Sequence, residues 1–325
     1  MSELIETFRQ QCRRKQKKVV FTDAMDIRVI EAARQLFDQK LAMPLLLGTP
    51  SEIRTFAEKG GIHTRGLRIH HPMHMDNLNA LAKDLFFLRQ LKGMTRFDAE
   101  NSLRDPLTMG AMLIRHKQAD VCIGGNITNT PELLRTAIQL VGVQKNHKTV
   151  SSYILLASPD NEKVLAFADC SVVPRPTPQQ MADIAIDTAD SFVRLTGIEP
   201  RVAMLSFSTN KSADHEMTMK VRQAVQLAKQ QKPALILDGE IQFDAAIVSK
   251  VAKQKAPNCR LEGRANVFVF PSLNAANIGY KIAQHLVGLE GIGPVLQGLN
   301  GNMQGISIGC STEDIINLAL IASCS

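Results

Sequence analysis

Short apolar runs rich in β-branched residues alternate with longer stretches of helical periodicity along this chain, and that alternation constrains its fold more than any other feature. Lys18-Val-Val-Phe21 reads as a strand, and Asp26 to Lys40 as a helix with Val29, Ala33, Leu36 and Phe37 at helical spacing. Met43 to Leu47 is a second strand, Ser51 is expected to cap a helix through Glu58, and Gly60-Gly61 ends it. A third strand is placed at Leu67 to His70, a helix at Asp76 to Leu91, and another from Asp105-Pro106 to Lys117. The strand Ala119 to Ile123 runs into Gly124-Gly125, and Pro131 opens the next helix at its first position.

The second half repeats the theme. Ser152 to Ser158 and Val164 to Ala168 read as a hairpin pair, and Gln179 to Leu195 as a helix. Strands at Val202 to Phe207, Ala234 to Leu237 and Asn266 to Phe270 alternate with helices at Thr218 to Lys229, Asp244 to Val251 and Asn277 to Leu286. The glycines of Gly288 to Gly298 follow a helix and surround Pro294, which reads as a helix stop and hinge. Such alternation specifies an α/β protein with layers around mostly parallel sheets. At roughly 150 residues per domain, 325 residues make about two domains. The helix Thr312 to Ser323 is expected to return to the first, giving 1–148 with 291–325 as one domain and 149–290 as the other.

Composition narrows the function classes. No apolar run reaches the ~18–20 residues of a membrane span. Residues 1–12 carry Glu3 and Glu6 without a long apolar core, unlike a secretory leader. Six cysteines are scattered without Cys-x-x-Cys spacing, so a reduced, cytoplasmic setting is expected. The net charge of +7 suits phosphorylated small molecules as well as nucleic acid, but two Tyr and no Trp leave few platforms for stacking bases. The basic run Arg13 to Lys18 reads as a solvated helix end.

Open α/β sheets bind ligands at the C-terminal ends of their strands, which directs attention to four loops. Cys122 to Thr130 either offers glycine N–H groups and hydroxyls to an anion or uses its glycines merely to turn the chain sharply. Ser206-Phe-Ser-Thr-Asn-Lys-Ser-Ala213 places four hydroxyls and a lysine just after a strand, which fits an anion site and a solvated turn alike, but it lacks the P-loop pattern. Gly305 to Asp314 leads into the last helix with Ser311 and Asp314 in capping-box positions; Cys310 beside that helix start is either a thiol whose pKa the helix lowers or, lacking a histidine partner, a structural cysteine. Asp238-Gly-Glu-Ile-Gln-Phe-Asp244 holds three carboxylates, but a six-residue step fits no helical face and no histidine is near, so Glu240 and Asp244 read better as caps than as metal ligands. His70-His71-Pro-Met-His74 reads as a surface turn.

With these segments placed, the chain resembles the phosphate acetyltransferases, most of all their ethanolamine-utilisation branch. The resemblance is carried by Ala119-Asp-Val-Cys-Ile-Gly-Gly-Asn126, Phe167-Ala-Asp-Cys-Ser-Val-Val-Pro174, Arg201-Val-Ala-Met-Leu-Ser-Phe-Ser208, Asp238 to Ala246, Phe270-Pro-Ser-Leu273 with Asn277 to Gln284, and Gly309-Cys-Ser311. It implies two three-layer α/β domains with a cleft between them, usually as a homodimer, and the ethanolamine-utilisation branch leaves association with a bacterial microcompartment open; the composition already argues against a membrane or a nucleic acid as partner. It implies reversible transfer of an acetyl or short acyl group between acyl phosphate and coenzyme A. No metal or organic cofactor is implied in the chemical step, coenzyme A being a substrate. Carried over by position, Asp314 resembles the family's general base and Ser307 its hydroxyl donor. Arg89 and Arg135 match two substrate-binding arginines, and Ser206, Ser208, Thr209 and Lys211 stand in the hydroxyl-rich substrate loop. These residue types suit the chemistry: a base favours the thiolate, guanidinium groups match phosphate oxygens, and a hydroxyl stabilises charge on the carbonyl oxygen.

Four positions at three sites depart from the family pattern. Ile308 stands where an active-site arginine is expected, Gln304-Gly305 replaces an Asn-Asp or His-Asp pair, and Lys211 occupies a usual glycine. Loss of one charge-assisted contact to a transferring group costs ~2–4 kcal/mol, roughly a hundredfold or more in rate. The competing expectation is therefore a catalytically impaired acyl-CoA-binding regulatory paralogue. A metal-dependent hydroxyacid dehydrogenase on a related scaffold needs an acidic metal cluster that the Asp238 to Asp244 spacing does not supply.

Overall fold

The computed structural model describes residues 3–145, 148–158 and 163–325, which fall into two units, Ile5–Gln144 with Leu299–Cys324 and Lys145–Gly298. In chain order the first begins with α1 (Glu3–Arg14), β1 (Lys17–Phe21), α2 (Ile27–Asp38), β2 (Ala42–Leu47), α3 (Pro50–Lys59) and β3 (Arg68–His70). It continues through α4 (Leu78–Arg89), α5 (Arg96–Ser102), α6 (Pro106–Arg115), β4 (Val121–Gly124) and α7 (Thr130–Thr136). The second unit holds β5 (Ser151–Ala157), β6 (Val164–Ala168), α8 (Pro178–Thr196), β7 (Arg201–Leu205), α9 (Glu216–Gln231) and β8 (Ile236–Ile241). To these it adds α10 (Phe243–Ile247), α11 (Ser249–Lys255), β9 (Val267–Val269), α12 (Leu273–Val287) and β10 (Glu290–Gln297). The chain then completes the first unit with β11 (Asn302–Gly305) and α13 (Thr312–Cys324).

The first sheet has the order β11-β4-β1-β2-β3, and every pairing in it is parallel. Helices cover such a sheet on both faces, so its strands read as continuous apolar runs. Val19, Val20 and Phe21 of β1 are accordingly all fully buried, as are Cys122 and Met303 in the neighbouring strands. The helix α13 is buried along most of its length through Ile315, Ile316, Leu318, Leu320 and Ile321, which explains its apolar sequence.

The second sheet runs β10-β5-β6-β9-β7-β8. Its β6, β9, β7 and β8 are parallel, whereas β10-β5 and β5-β6 are antiparallel, the latter being the hairpin pair expected from sequence. The mixed α/β class with two mostly parallel sheets is the one the alternation specified.

Several local expectations are corrected. Ser51 does not cap α3; Thr49 is its N-cap and Pro50 takes the first helical position. The segment read as a hinge, Gly288 to Gly298, is largely β10, an edge strand antiparallel to β5 whose register shifts between Ile292 and Val295. Glycine and proline at a bulge on an edge strand hide the period-two pattern that would have shown it. That strand places the return to the first unit after Gly298, where the sequence reading placed it at 291. The strand β8 extends through Asp238 and Glu240 rather than ending at Leu237, and β11, with its Gly301-Asn-Met-Gln-Gly305 sequence, gave no strand signal at all.

Candidate active site

In the first unit three loops leave adjacent parallel strands at their C-terminal ends: 22–26 after β1, 125–129 after β4 and 306–311 after β11. The β4-β11 register sets Gly305 beside Gly124, and the Ile306 N–H donates to the Gly124 carbonyl at 2.9 Å. Gly125 adopts φ +103°, and a β-carbon on it would lie 2.6 Å from the Ile306 carbonyl oxygen. Only glycine allows this approach.

Of the two readings of the glycine loop, the anion cradle does not hold, because its N–H groups are already engaged within the chain. The buried Asp23 carboxylate takes them: its Oδ2 accepts from the N–H of Gly125 and of Asn126 at 2.7 Å each and of Ile127 at 3.1 Å. Thr128 Oγ1 donates to its Oδ1 at 3.2 Å. A negative side chain thus fills the concavity that an anion would otherwise occupy. Neither motif nor spacing drew attention to Asp23; its position directly after a buried strand was the available signal.

The loop after β11 carries Ser307, Ile308 and Cys310 into α13, with the Cys310 N–H donating to the Ser307 carbonyl at 3.1 Å. Ser307 is exposed, and Ile308 is 64% exposed, in the place where an arginine was expected. Cys310 lies beneath, 7% exposed, and Asn126 Nδ2 approaches its sulfur at 3.1 Å. Burial pushes the Cys310 thiol above its ordinary range, and Arg28 only partly opposes this, so the helix start does not make it a reactive thiolate. Asp314 forms the capping box anticipated with Ser311: its Oδ2 accepts from the Ser311 N–H and Oγ at 2.8 Å each, while its own N–H donates to Ser311 Oγ at 3.2 Å.

Arg28 is a second residue that sequence reading missed. It sits in the first turn of α2, where its Nη1 donates to the carbonyls of Ile308 at 2.8 Å and Cys310 at 2.6 Å. Asp26, the N-cap of α2, holds the same guanidinium through Oδ1 at 3.0 Å and Oδ2 at 2.6 Å. Burial raises the Asp26 carboxyl, and the bonds from Arg28 outweigh it, so Asp26 stays below its ordinary range.

Arg135 occupies the last turn of α7, following the β4 loop, and is exposed. Arg89 ends α4, which follows the opposite edge strand β3, and is half-buried. Neither arginine has a carboxylate within ion-pair distance among the described residues, whereas Arg28, Arg34, Arg115 and Arg222 all do. Unpaired guanidinium groups of this kind are available to an anionic ligand.

In the second unit the loop after β7 is held from below. Glu240 of β8 is buried, and its Oε1 accepts from Ser208 Oγ and the Lys211 N–H at 2.9 Å each, while Arg222 Nε donates to its Oε2 at 2.9 Å. Burial pushes the Glu240 carboxyl up, and the bonds from Arg222, Lys211 and Ser208 prevail, leaving it below its ordinary range. Thr209 Oγ1 accepts the Gln242 N–H at 2.9 Å. Ser208 and Thr209 are therefore buried supports of the loop, and Ser206 and Lys211 are its more accessible members. Glu240 is no helix cap, and Asp244 instead pairs with Lys255 at 2.7 Å and Asp238 with Lys229 at 2.9 Å. Lys211 adopts φ +66°, the left-handed conformation that explains why glycine is the expected residue there. Among the described residues no cluster of three or more His, Cys, Asp or Glu is placed to hold a metal ion, and no helix is long and apolar enough to cross a membrane.

Residues 3–323 match the family described as phosphate acetyl/butaryl transferase. A phosphate acetyltransferase of Bacillus subtilis (strain 168) is 40% identical over 324 residues, covering 99% of either chain. The structure of a phosphotransacetylase from Streptococcus pyogenes superposes with a TM-score of 0.94 at 37% identity, covering 100% of this chain and 98% of its own. That of the EutD phosphotransacetylase from Staphylococcus aureus does so with a TM-score of 0.92 at 36% identity, covering 99% and 98%. Similarity running through both units makes this chain a member of the phosphate acetyl/butaryl transferase family.

Proposed function

We propose that the protein transfers an acetyl or short acyl group between acyl phosphate and coenzyme A, with phosphate as the leaving group. The observation that carries this reading is the β11-α13 loop, which holds Ser307 exposed while the capping box fixes Asp314 one turn into the helix. Both Ser311 contacts to Asp314 use Oδ2, so Oδ1 is the oxygen assigned to the thiol proton. The thiolate then attacks the acyl carbonyl, the C–S bond forms, and the bond to the phosphate oxygen breaks. Ser307 Oγ is assigned to the carbonyl oxygen as charge develops on it. Arg89 and Arg135 are assigned to the anionic groups of the substrates, for which their lack of carboxylate partners leaves them free.

The reaction needs no metal or organic cofactor in this assignment. The test is thioester formation from acetyl, propionyl and butyryl phosphate with coenzyme A, followed alongside phosphate release. Thioester formed one-for-one with phosphate supports the reading, and its absence with all three acyl phosphates refutes it. Ile308 favours a second reading, a paralogue that binds acyl-CoA without turning it over; coenzyme A binding in the absence of thioester formation selects it.

A homodimer is proposed through the second unit. Along α12, Ile278, Ile282 and Leu286 are 60%, 51% and 81% exposed at four-residue spacing. Beside them opens an apolar cavity of about 610 Å³ lined by Phe243, Phe270, Ile282, Ala283, Val287 and Leu289. Two copies related by a two-fold axis need a self-complementary patch, and an exposed apolar ridge beside an apolar groove supplies one. Ile282→Asp is expected to shift the sedimenting species from dimer to monomer, and a wild-type monomer would refute the proposal.

A further inference from the structure

We propose that Asp26 and Arg28 form a latch that positions the Ser307–Cys310 loop for acyl transfer, an inference resting on the roles given above to Ser307 and Asp314. Four N–H groups of the Arg28 fork are placed: Nε and Nη2 on the two oxygens of Asp26, and both contacts of Nη1 on the carbonyls of Ile308 and Cys310. The two loop carbonyls flank Gly309, the residue with the greatest backbone freedom in the segment. Arg28 therefore restrains the loop on either side of its softest point. Asp26 in turn is fixed by its own backbone duty, since Oδ1 accepts the Arg28 N–H at 2.9 Å as the cap of α2. The rigid reference for the loop is thus the start of α2, reached through one planar guanidinium.

The latch matters in this chain beyond the four bonds of one side chain. With Ile308 exposed and apolar, the loop has no guanidinium of its own to draw it against a bound anion. What keeps Ser307 in place before substrate arrives is Arg28 from below, Asn126 at the Cys310 sulfur, and the Ile306 N–H on Gly124. Of these, Arg28 is the one that touches the loop at two carbonyls. It is a positioning residue, since both of its loop contacts are to backbone carbonyls and its other placed donors hold Asp26.

The experiment compares wild type, Arg28→Ala and Asp26→Asn in two measurements. One is steady-state turnover; the other is the rate at which iodoacetamide alkylates Cys310, read by mass spectrometry of its peptide. Cys310 is 7% exposed beneath the loop, so its alkylation reports loop opening whether or not the protein turns over. Arg28→Ala is expected to lower kcat about tenfold or more, with KM for both substrates within about threefold. Cys310 alkylation should rise by about tenfold, and added guanidinium ion should restore part of both. Asp26→Asn keeps the helix cap and the guanidinium while weakening their pairing, and it should move both readouts the same way by a smaller factor. Should Arg28→Ala fail to fold, Asp26→Asn carries the test. Alkylation unchanged from wild type overturns the latch, and so does a raised KM at constant kcat, which would make Arg28 a ligand contact. A wild type without turnover refutes the acyl-transfer reading alone, because the alkylation arm still decides the latch.

Discussion

Gly125 and Ile306 are in backbone contact: a β-carbon on the glycine would lie 2.6 Å from the isoleucine carbonyl oxygen. This contact joins the β4 loop to the loop that carries Ser307. Gly125→Ala must both adopt φ +103° and push Ile306 away, which would strain the N–H triad on Asp23 as well. The expected outcome is a loss of about 2–4 kcal/mol in urea unfolding and a fall in kcat of about a hundredfold. A variant with wild-type kcat would show that the Ser307 loop is placed independently of Gly125.

Asp314 and Ser311 share one capping box but are assigned different duties. Asp314→Asn keeps an acceptor for the cap and removes the base, so kcat should fall by about a hundredfold to ten-thousandfold with little change in thermal stability. Ser311→Ala should do the reverse, costing about 1 kcal/mol of stability with a much smaller effect on kcat. Equal kcat losses in the two variants would mean that Asp314 acts only through the helix start.

Ile308→Arg adds the guanidinium that the family pattern places in this loop. If the missing charge limits the rate, turnover should rise by about tenfold or more. A turnover unchanged by the substitution shows that the chain does without it. Lys211→Gly is the companion measurement. It removes a left-handed lysine and should stabilise the protein by about 0.5–1 kcal/mol. Turnover lost with the fold intact would assign the compensating charge to Lys211, and turnover retained rejects that role.

Acid sensitivity is expected from Glu240. Its folded-state pKa lies below its ordinary value of about 4.3, so the ion pair with Arg222 contributes fully above that pH and is lost as pH falls through the folded value. Unfolding free energy measured in urea should therefore decline below about pH 4.3 more steeply in wild type than in Glu240→Gln. Parallel acid slopes would show that Glu240 is not a source of the decline.

By itself the sequence determined the α/β class, most strand and helix positions and the family, because these depend on local periodicity and on motifs spread over the whole chain. Lys18 to Phe21 reads as a strand from its own residues, and Ser311 with Asp314 announces a helix start from spacing alone. Tertiary structure decided what those motifs do. The Gly124-Gly125 loop looks like an anion cradle until the Asp23 carboxylate, 102 residues away, is found in it. Ser208 looks like a ligand contact until Glu240 is found beneath it, and Arg28 carries no local signal for the loop it holds 280 residues later. A strand such as β10, with Gly293 and Pro294 inside it, exists because β5 supplies its hydrogen bonds and not because its own residues favour it. Periodicity is a property of neighbours along the chain. A hydrogen-bond partner is a property of neighbours in space, and only folding brings those together.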